Sequence, residues 1–349
     1  MFDLNAIIRE NIRSLKPYSS ARDEFSGKEG IFMDANENPF GILNRYPDPY
    51  QKEIKGLLAK MKGVETSQIF VGNGSDEVID LLFRIFCNPG KDEALTFSPT
   101  YGMYDVSASI NDVNLIKIPL NNEFQLDVDL AKTQLKNSKI KLTFICSPNN
   151  PTGNAFPKEQ IETIVQSTNG VVVVDEAYVD FSEKGSMTNF INTYPNLIIV
   201  QTMSKARGLA AARVGFAFAS SEIISLFNKV KPPYNVSLLN QKAAFDALLD
   251  NETYTKNLNL LQKEKERLKS LLDTLKSAIK IYPSDANFLL VKFKDANKTY
   301  TQLVDRKIIV RNRNSIINNC IRITVGTPEE NTLLINELKK LENEKSTVY

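Results

Sequence analysis

Along this chain, apolar positions at three- and four-residue spacing alternate with short unbroken apolar runs, so helices and buried strands take turns. Residues 51–62 carry Ile54, Leu57, Leu58 and Met61 on one face of a predicted helix. Strands are predicted over 69–71, 94–97, 114–118, 141–146, 171–174, 197–201 and 214–219, with helices over 78–86, 101–110, 158–167 and 221–229. A run as uniformly apolar as 171–174 belongs in a mostly parallel sheet covered by helices on both faces. From about 253 to 280 the pattern predicts a long charged amphipathic helix with Leu261, Leu268, Leu272 and Leu275 on one side. Strands over 286–292, 308–311 and 321–325 and a helix over 328–342 follow it. The expected fold class is α/β, a large domain with a mostly parallel sheet plus a smaller α+β domain. Residues 1–40 are expected as an N-terminal arm that is part of the small domain, 41–250 as the large domain and 251–349 as the small one.

Length, charge, the N-terminus and the cysteines each change this picture. A length of 349 residues is long for one core and suits two domains or one large α/β domain with an extension. A formal net charge of +2 gives no electrostatic reason to expect nucleic acid or an anionic membrane as partner. The N-terminus is a charged amphipathic pattern ending near Lys16-Pro17, without the apolar core of a signal peptide, and no run is long enough to span a bilayer. Cys87, Cys146 and Cys320 are widely separated, which fits a reducing compartment, and the expected location is cytoplasmic.

The absence of histidine removes histidine-dependent nucleophilic catalysis and every histidine metal site, and no metal is expected. Acid–base work near neutral pH must then fall to a perturbed lysine, carboxylate, tyrosine or cysteine, or to a cofactor. QTMSKARGLAAARVGFAFA, residues 201–219, places Lys205 among small apolar neighbours, with Arg213 eight positions on. Apolar surroundings lower a lysine's pKa and suit an amine that must condense with a carbonyl, although the same segment also reads as a solvated loop. VVVVDEAY, residues 171–178, ends a buried strand on Asp175, at the sheet edge where open α/β folds bind ligands. That acid could hold magnesium, pair with a cofactor's ring nitrogen, or simply cap the turn. No Gly-Lys-Ser/Thr is present to support the magnesium reading. Strand 69–71, the turn 72–76 and the following helix form an anion-cradling arrangement, weak by itself.

The order of SPNNPTG (147–153), DEAY (175–178) and SKA (204–206), with Arg213 beyond, resembles the fold-type I pyridoxal-phosphate aminotransferases. LKPYSSAR, DANENPFG, NRYPDP, VGNGSDE, SPTYGMY and RITVG narrow the resemblance to the histidinol-phosphate aminotransferase family. The resemblance implies pyridoxal 5'-phosphate as cofactor, with Lys205, Asp175 and Tyr178 as catalytic residues. It assigns the cofactor to Gly74, Ser75, Tyr101, Asn150, Thr202, Ser204 and Arg213, together with Tyr46 reaching across from a second subunit of a homodimer. It assigns the substrate to Tyr18, Asn36, Asn287, Arg311 and Arg322; without the family, the two arginines would read as solvated strand-end charges. The activity implied is transamination between L-histidinol phosphate and 2-oxoglutarate in histidine biosynthesis, by way of imidazole-acetol phosphate and glutamate. Threonine-phosphate decarboxylation and broad aromatic transamination on the same scaffold remain alternatives. A cofactor-binding regulator would need a DNA-binding domain for which the chain has no spare length. Ala211-Ala212 departs from the family's usual glycine before the arginine, and Arg207 and Arg313 are additional cations without an assigned role.

Overall fold

The computed structural model describes residues 2–18 and 30–344. Its strands are β1 Ile69–Gly72, β2 Glu93–Ser98, β3 Asn114–Pro119, β4 Ile140–Cys146, β5 Val171–Asp175, β6 Leu197–Thr202, β7 Gly215–Phe218, β8 Ala278–Ile281, β9 Phe288–Phe293, β10 Arg311–Asn312 and β11 Cys320–Thr324. The first seven form one sheet in the order β1-β7-β6-β5-β4-β2-β3, and only β7 runs against its neighbours. The last four form a separate antiparallel sheet in the order β10-β11-β9-β8.

Alternation along β5 shows why its apolar run is uniform. Val171 and Val173 join a core with Phe70, Phe83 and Phe144, while Val172 and Val174 join the opposite core with Val71, Ile145 and Ile199. Both faces of the strand are dry, so every side chain must be apolar. A third core holds Leu268 and Leu272 of the Asn251–Asp273 helix against Leu289, Val291, Ile321 and Ile323 of the small sheet.

Parallel register brings the ends of β4, β5 and β6 to one edge, with Cys146 opposite Asp175 and Asp175 opposite Val200. Gly215, at the start of β7, pairs with both Thr202 and Gly72 at that edge. A Cβ on Gly215 would stand 2.3 Å from the Ser75 backbone nitrogen. Glycine here lets β7 press against the start of the Ser75–Phe86 helix, whose first N–H groups therefore open toward the same edge.

Several boundaries differ from the sequence pattern. The long helix stops at Asp273, not near 280, and the chain continues into β8. Leu275 extends the helical spacing of Leu268 and Leu272, so periodicity could not locate the stop. Pairing of Ala278 with Phe293 and of Ile281 with Val291 overrides it. The strand expected over 308–311 is only Arg311–Asn312, and the helices Val128–Gln134, Leu238–Leu249 and Ala296–Asp305 were not anticipated. The N-terminal helix is two short turns, Leu4–Ile7 and Glu10–Arg13. The arm's Ile7, Ile8 and Ile12 are buried in the large sheet's core, and Arg9 N–H donates to the Ile85 carbonyl at 3.1 Å. This part of the arm packs on the large unit, not on the small one as expected.

Candidate active site

Asp175 lies at the mouth of β5 and is only 3% exposed. Its Oδ2 accepts a 2.7 Å hydrogen bond from the Tyr104 hydroxyl, and its Oδ1 accepts from Ala177 N–H at 3.1 Å. Burial raises its pKa, and these two donors partly offset the rise. Tyr104 is fully buried, stacked on Phe144 at 4.8 Å and edge-on to Tyr101 at 5.7 Å. Its hydroxyl is thereby fixed on the carboxylate.

Lys205 follows β6 in the turn that leads to β7. Its Nζ lies 5.7 Å from the centre of the Tyr178 ring. Burial lowers its pKa, and the nearby Arg322 adds to the effect while Asp175 opposes it. The amine is therefore biased toward its neutral, nucleophilic form. Lys205 is thus half-buried at a cavity wall and not a fully solvated loop residue.

Around these two groups, one cavity is lined by Ser75, Tyr101, Asn150, Tyr178, Thr202, Ser204 and Arg213. Tyr178 and Asn150 are buried and 3.4 Å apart, hydroxyl to amide nitrogen. Gly74 has φ +81° just before the helix, and a Cβ there would stand 2.8 Å from Arg213 Nη2. The same arginine is held 3.2 Å from Asp76 Oδ2, whose other oxygen accepts from the Tyr101 hydroxyl at 3.1 Å. Thr202 and Ser204 are linked through their hydroxyls at 3.0 Å. A wider cleft of about 450 Å³ opens on the other side of the Lys205 turn, beside Arg207, Tyr254 and Glu264, but it lacks Asp175, Asn150 and Arg213.

The small sheet meets a residue of this cavity's wall through Arg322. Arg322 Nη1 donates to Asn150 Oδ1 at 2.5 Å, and its guanidinium lies 5.3 Å from the Phe288 ring. Arg311 stands opposite Arg322 in the β10–β11 register. Asn287 meets β11 through its backbone, its carbonyl accepting from Val325 N–H at 2.9 Å.

Three anticipated residues are elsewhere. Tyr18 is 70% exposed on the arm, while Asn36 and Tyr46 line a separate cavity with Leu43, Tyr234 and Leu238. Tyr46 stacks on Tyr234 there at 4.3 Å. Arg207 turns away from the site, donating to the Ala247 carbonyl at 2.9 Å and lying over the Tyr254 ring at 3.6 Å. Two members of the site were not singled out from sequence. Asp76 read only as a helix-start acid and Tyr104 only as part of the TYGMY segment, one helical turn beyond Tyr101.

The family model for class I and II aminotransferases matches residues 28–338. Curated histidinol-phosphate aminotransferases from Flavobacterium johnsoniae and Cytophaga hutchinsonii are 50% and 49% identical, each alignment covering 97% of this chain and 99% of the relative. The chain belongs to the histidinol-phosphate aminotransferase family, within class I and II aminotransferases. Among solved structures, the histidinol-phosphate aminotransferase from Sinorhizobium meliloti in complex with pyridoxal-5'-phosphate has the same fold. It superposes with a TM-score of 0.77 over 88% of this chain and 90% of its own, at 23% identity. Pyridoxal phosphate is the cofactor of this aminotransferase family, and the cavity's chemistry suits it. A buried acid faces a half-buried lysine with lowered pKa, and an anion cradle combines a helix start, two hydroxyls and a fixed arginine. Among the described residues, no helix is long and apolar enough to cross a membrane.

Proposed function

We propose that this chain is a pyridoxal-phosphate-dependent enzyme of histidine biosynthesis, exchanging an amino group between L-histidinol phosphate and 2-oxoglutarate. The observation that carries the reading is the Arg322–Asn150 contact, in which a cation of the small sheet is bonded to a residue lining the lysine–aspartate cavity of the large one. Near-half identity to histidinol-phosphate aminotransferases over almost the whole chain supports the substrate choice. An arm over 1–40, a large domain over 41–250 and a small domain over 251–349 belong to this reading, with the two separate sheets in favour of the division between the last two.

When bound, the cofactor supplies a carbonyl for amine exchange and an electron sink for the carbanion formed at the substrate Cα. Asp175 would hold its ring nitrogen in protonated form; Asn150 and Tyr178 would hold its phenolic oxygen. Tyr101 would cover the ring face. Gly74, Ser75, Thr202, Ser204 and Arg213 would take its phosphate, with Asp76 keeping the arginine aimed. Lys205 Nζ would bind the cofactor's carbonyl carbon and, as a free amine, would hold and move the proton of the substrate Cα. Burial lowers its pKa, which favours the free amine that can accept a proton. Arg322, with Arg311 and Asn287, takes the substrate's anionic end, a carboxylate in one half-reaction and a phosphate in the other, whereas Asn36 and Tyr18 stand outside that cavity within one chain.

The unit that works is a cytoplasmic homodimer in which Tyr46 serves the partner's cofactor phosphate. Its position outside the Lys205 cavity of its own chain fits that role, as do the exposed Leu43, Leu238 and Leu239 that line the same cavity as Tyr46. The test loads the enzyme with glutamate and then offers imidazole-acetol phosphate and phenylpyruvate side by side. Restoration of the original absorbance by the phosphate compound at far lower concentration is expected. Equal or better restoration by phenylpyruvate would make this an aromatic aminotransferase.

A further inference from the structure

The β10–β11 ladder places three arginines together. Arg311 is opposite Arg322, Asn312 is opposite Ile321, and Arg313 N–H continues the ladder by donating to the Cys320 carbonyl at 2.9 Å. Side chains alternate faces along a strand, and directly opposed residues share a face. Arg311, Arg313 and Arg322 therefore rise on the side opposite Ile321 and Ile323, which are buried in the small core.

Nothing among the described residues neutralises this cluster. No carboxylate there forms a salt bridge with any of the three, and the Nε atoms of Arg313 and Arg322 are both buried without a hydrogen-bond partner. Arg322 spends one donor on Asn150, and no described residue accepts a hydrogen bond from the Arg313 guanidinium. Burial and mutual repulsion act on Arg313, while the Tyr178 phenol feels both Arg313 and Arg322. Tyr178 lines the Lys205 cavity, so Arg313 and Arg322 both act on a group at its wall. Buried guanidinium donors left unanswered cost free energy that an arriving anion recovers. A carboxylate brings one charge and two oxygens. A phosphate monoester brings close to two charges and three oxygens, enough to answer a third arginine.

We propose that Arg313 is a third donor of the substrate-anion site and sets its preference for a phosphate monoester over a carboxylate. The substrate named rests on the function proposed above, whereas the anion preference does not. Holoenzyme carrying Arg313→Gln or Arg313→Lys is compared with wild type in both half-reactions. The ratio of kcat/KM for histidinol phosphate to that for glutamate should fall roughly tenfold to a hundredfold in Arg313→Gln. Arg313→Lys should recover part of it. Inhibition of the glutamate half-reaction by inorganic phosphate should weaken alongside, and inhibition by acetate much less. An unchanged ratio with unchanged phosphate inhibition overturns the proposal, as does equal loss for both substrates, the mark of a merely structural role. If wild type ignores histidinol phosphate, the substrate reading fails, and phosphate against acetate inhibition then decides Arg313 alone.

Discussion

The two sheets present edges of opposite character to the Lys205 cavity. At the large sheet's edge, Asp175 accepts from Tyr104 and Ala177, Arg213 is paired with Asp76, and Asp76 in turn receives Tyr101. At the small sheet's edge, Arg313 and Arg322 keep buried donors unanswered, and three cations share one face. A group that stays bound through every turnover can be met by a site fixed in advance. An end that must receive a carboxylate and a phosphate in alternation cannot be, because each anion wants a different number of donors. On the proposed function, the stabilised edge would hold the cofactor and the frustrated edge would handle the substrates.

The strongest blow to this contrast falls on the fixed edge. Lys205→Ala should slow the glutamate half-reaction by roughly 10⁴-fold or more while circular dichroism shows an intact fold. Asp175→Asn should cost roughly 10²- to 10³-fold, and a rate within a few-fold of wild type would remove its ring-nitrogen role. On the exchanging edge, Arg322→Ala should raise KM for both glutamate and histidinol phosphate, each by roughly tenfold to a hundredfold. An effect confined to one substrate would mean two separate anion sites.

Gentler changes sharpen the contrast. Tyr104→Phe removes one donor from Asp175 and should lower the rate by roughly tenfold. Without that donor Asp175 rises further, so the acidic limb of the pH–rate profile should move to higher pH. Lys55 serves as a control, a lysine buried away from the cavity. Desolvation first, and then Lys231, lowers it from the usual 10.5 to about 8. The folded protein thus binds fewer protons than the unfolded chain between those values. The penalty is full below about pH 8 and disappears as pH rises toward 10.5. Lys55→Met should raise the thermal midpoint by a few degrees at pH 7, with the gain fading as the pH climbs.

The fixed edge was the more legible in sequence, for a physical reason. Asp175 ends a strand whose apolar run announces two dry faces, and Asn150 and Lys205 directly follow strands of the same kind. Their convergence follows from parallel register alone. Asp76 and Tyr104 were missed because a first-turn acid and a helical tyrosine are ordinary by position, and only packing brings each onto its partner. Arg313 had no reading because its meaning depends on which face of a two-residue strand it shares, and periodicity cannot be read from two residues. The helix end at Asp273 was misplaced because the leucine spacing continues past it. Tyr46 and Asn36 were named with the site, yet within one chain they line another cavity.

The central claim is that Lys205, not any other lysine, is the reacting amine. Borohydride reduction of the yellow holoenzyme followed by peptide mapping tests it most directly. One modified peptide, containing Lys205 and the TMSKAR sequence, is the predicted result. Modification at Lys55 or another lysine, with Lys205 untouched, would contradict the account.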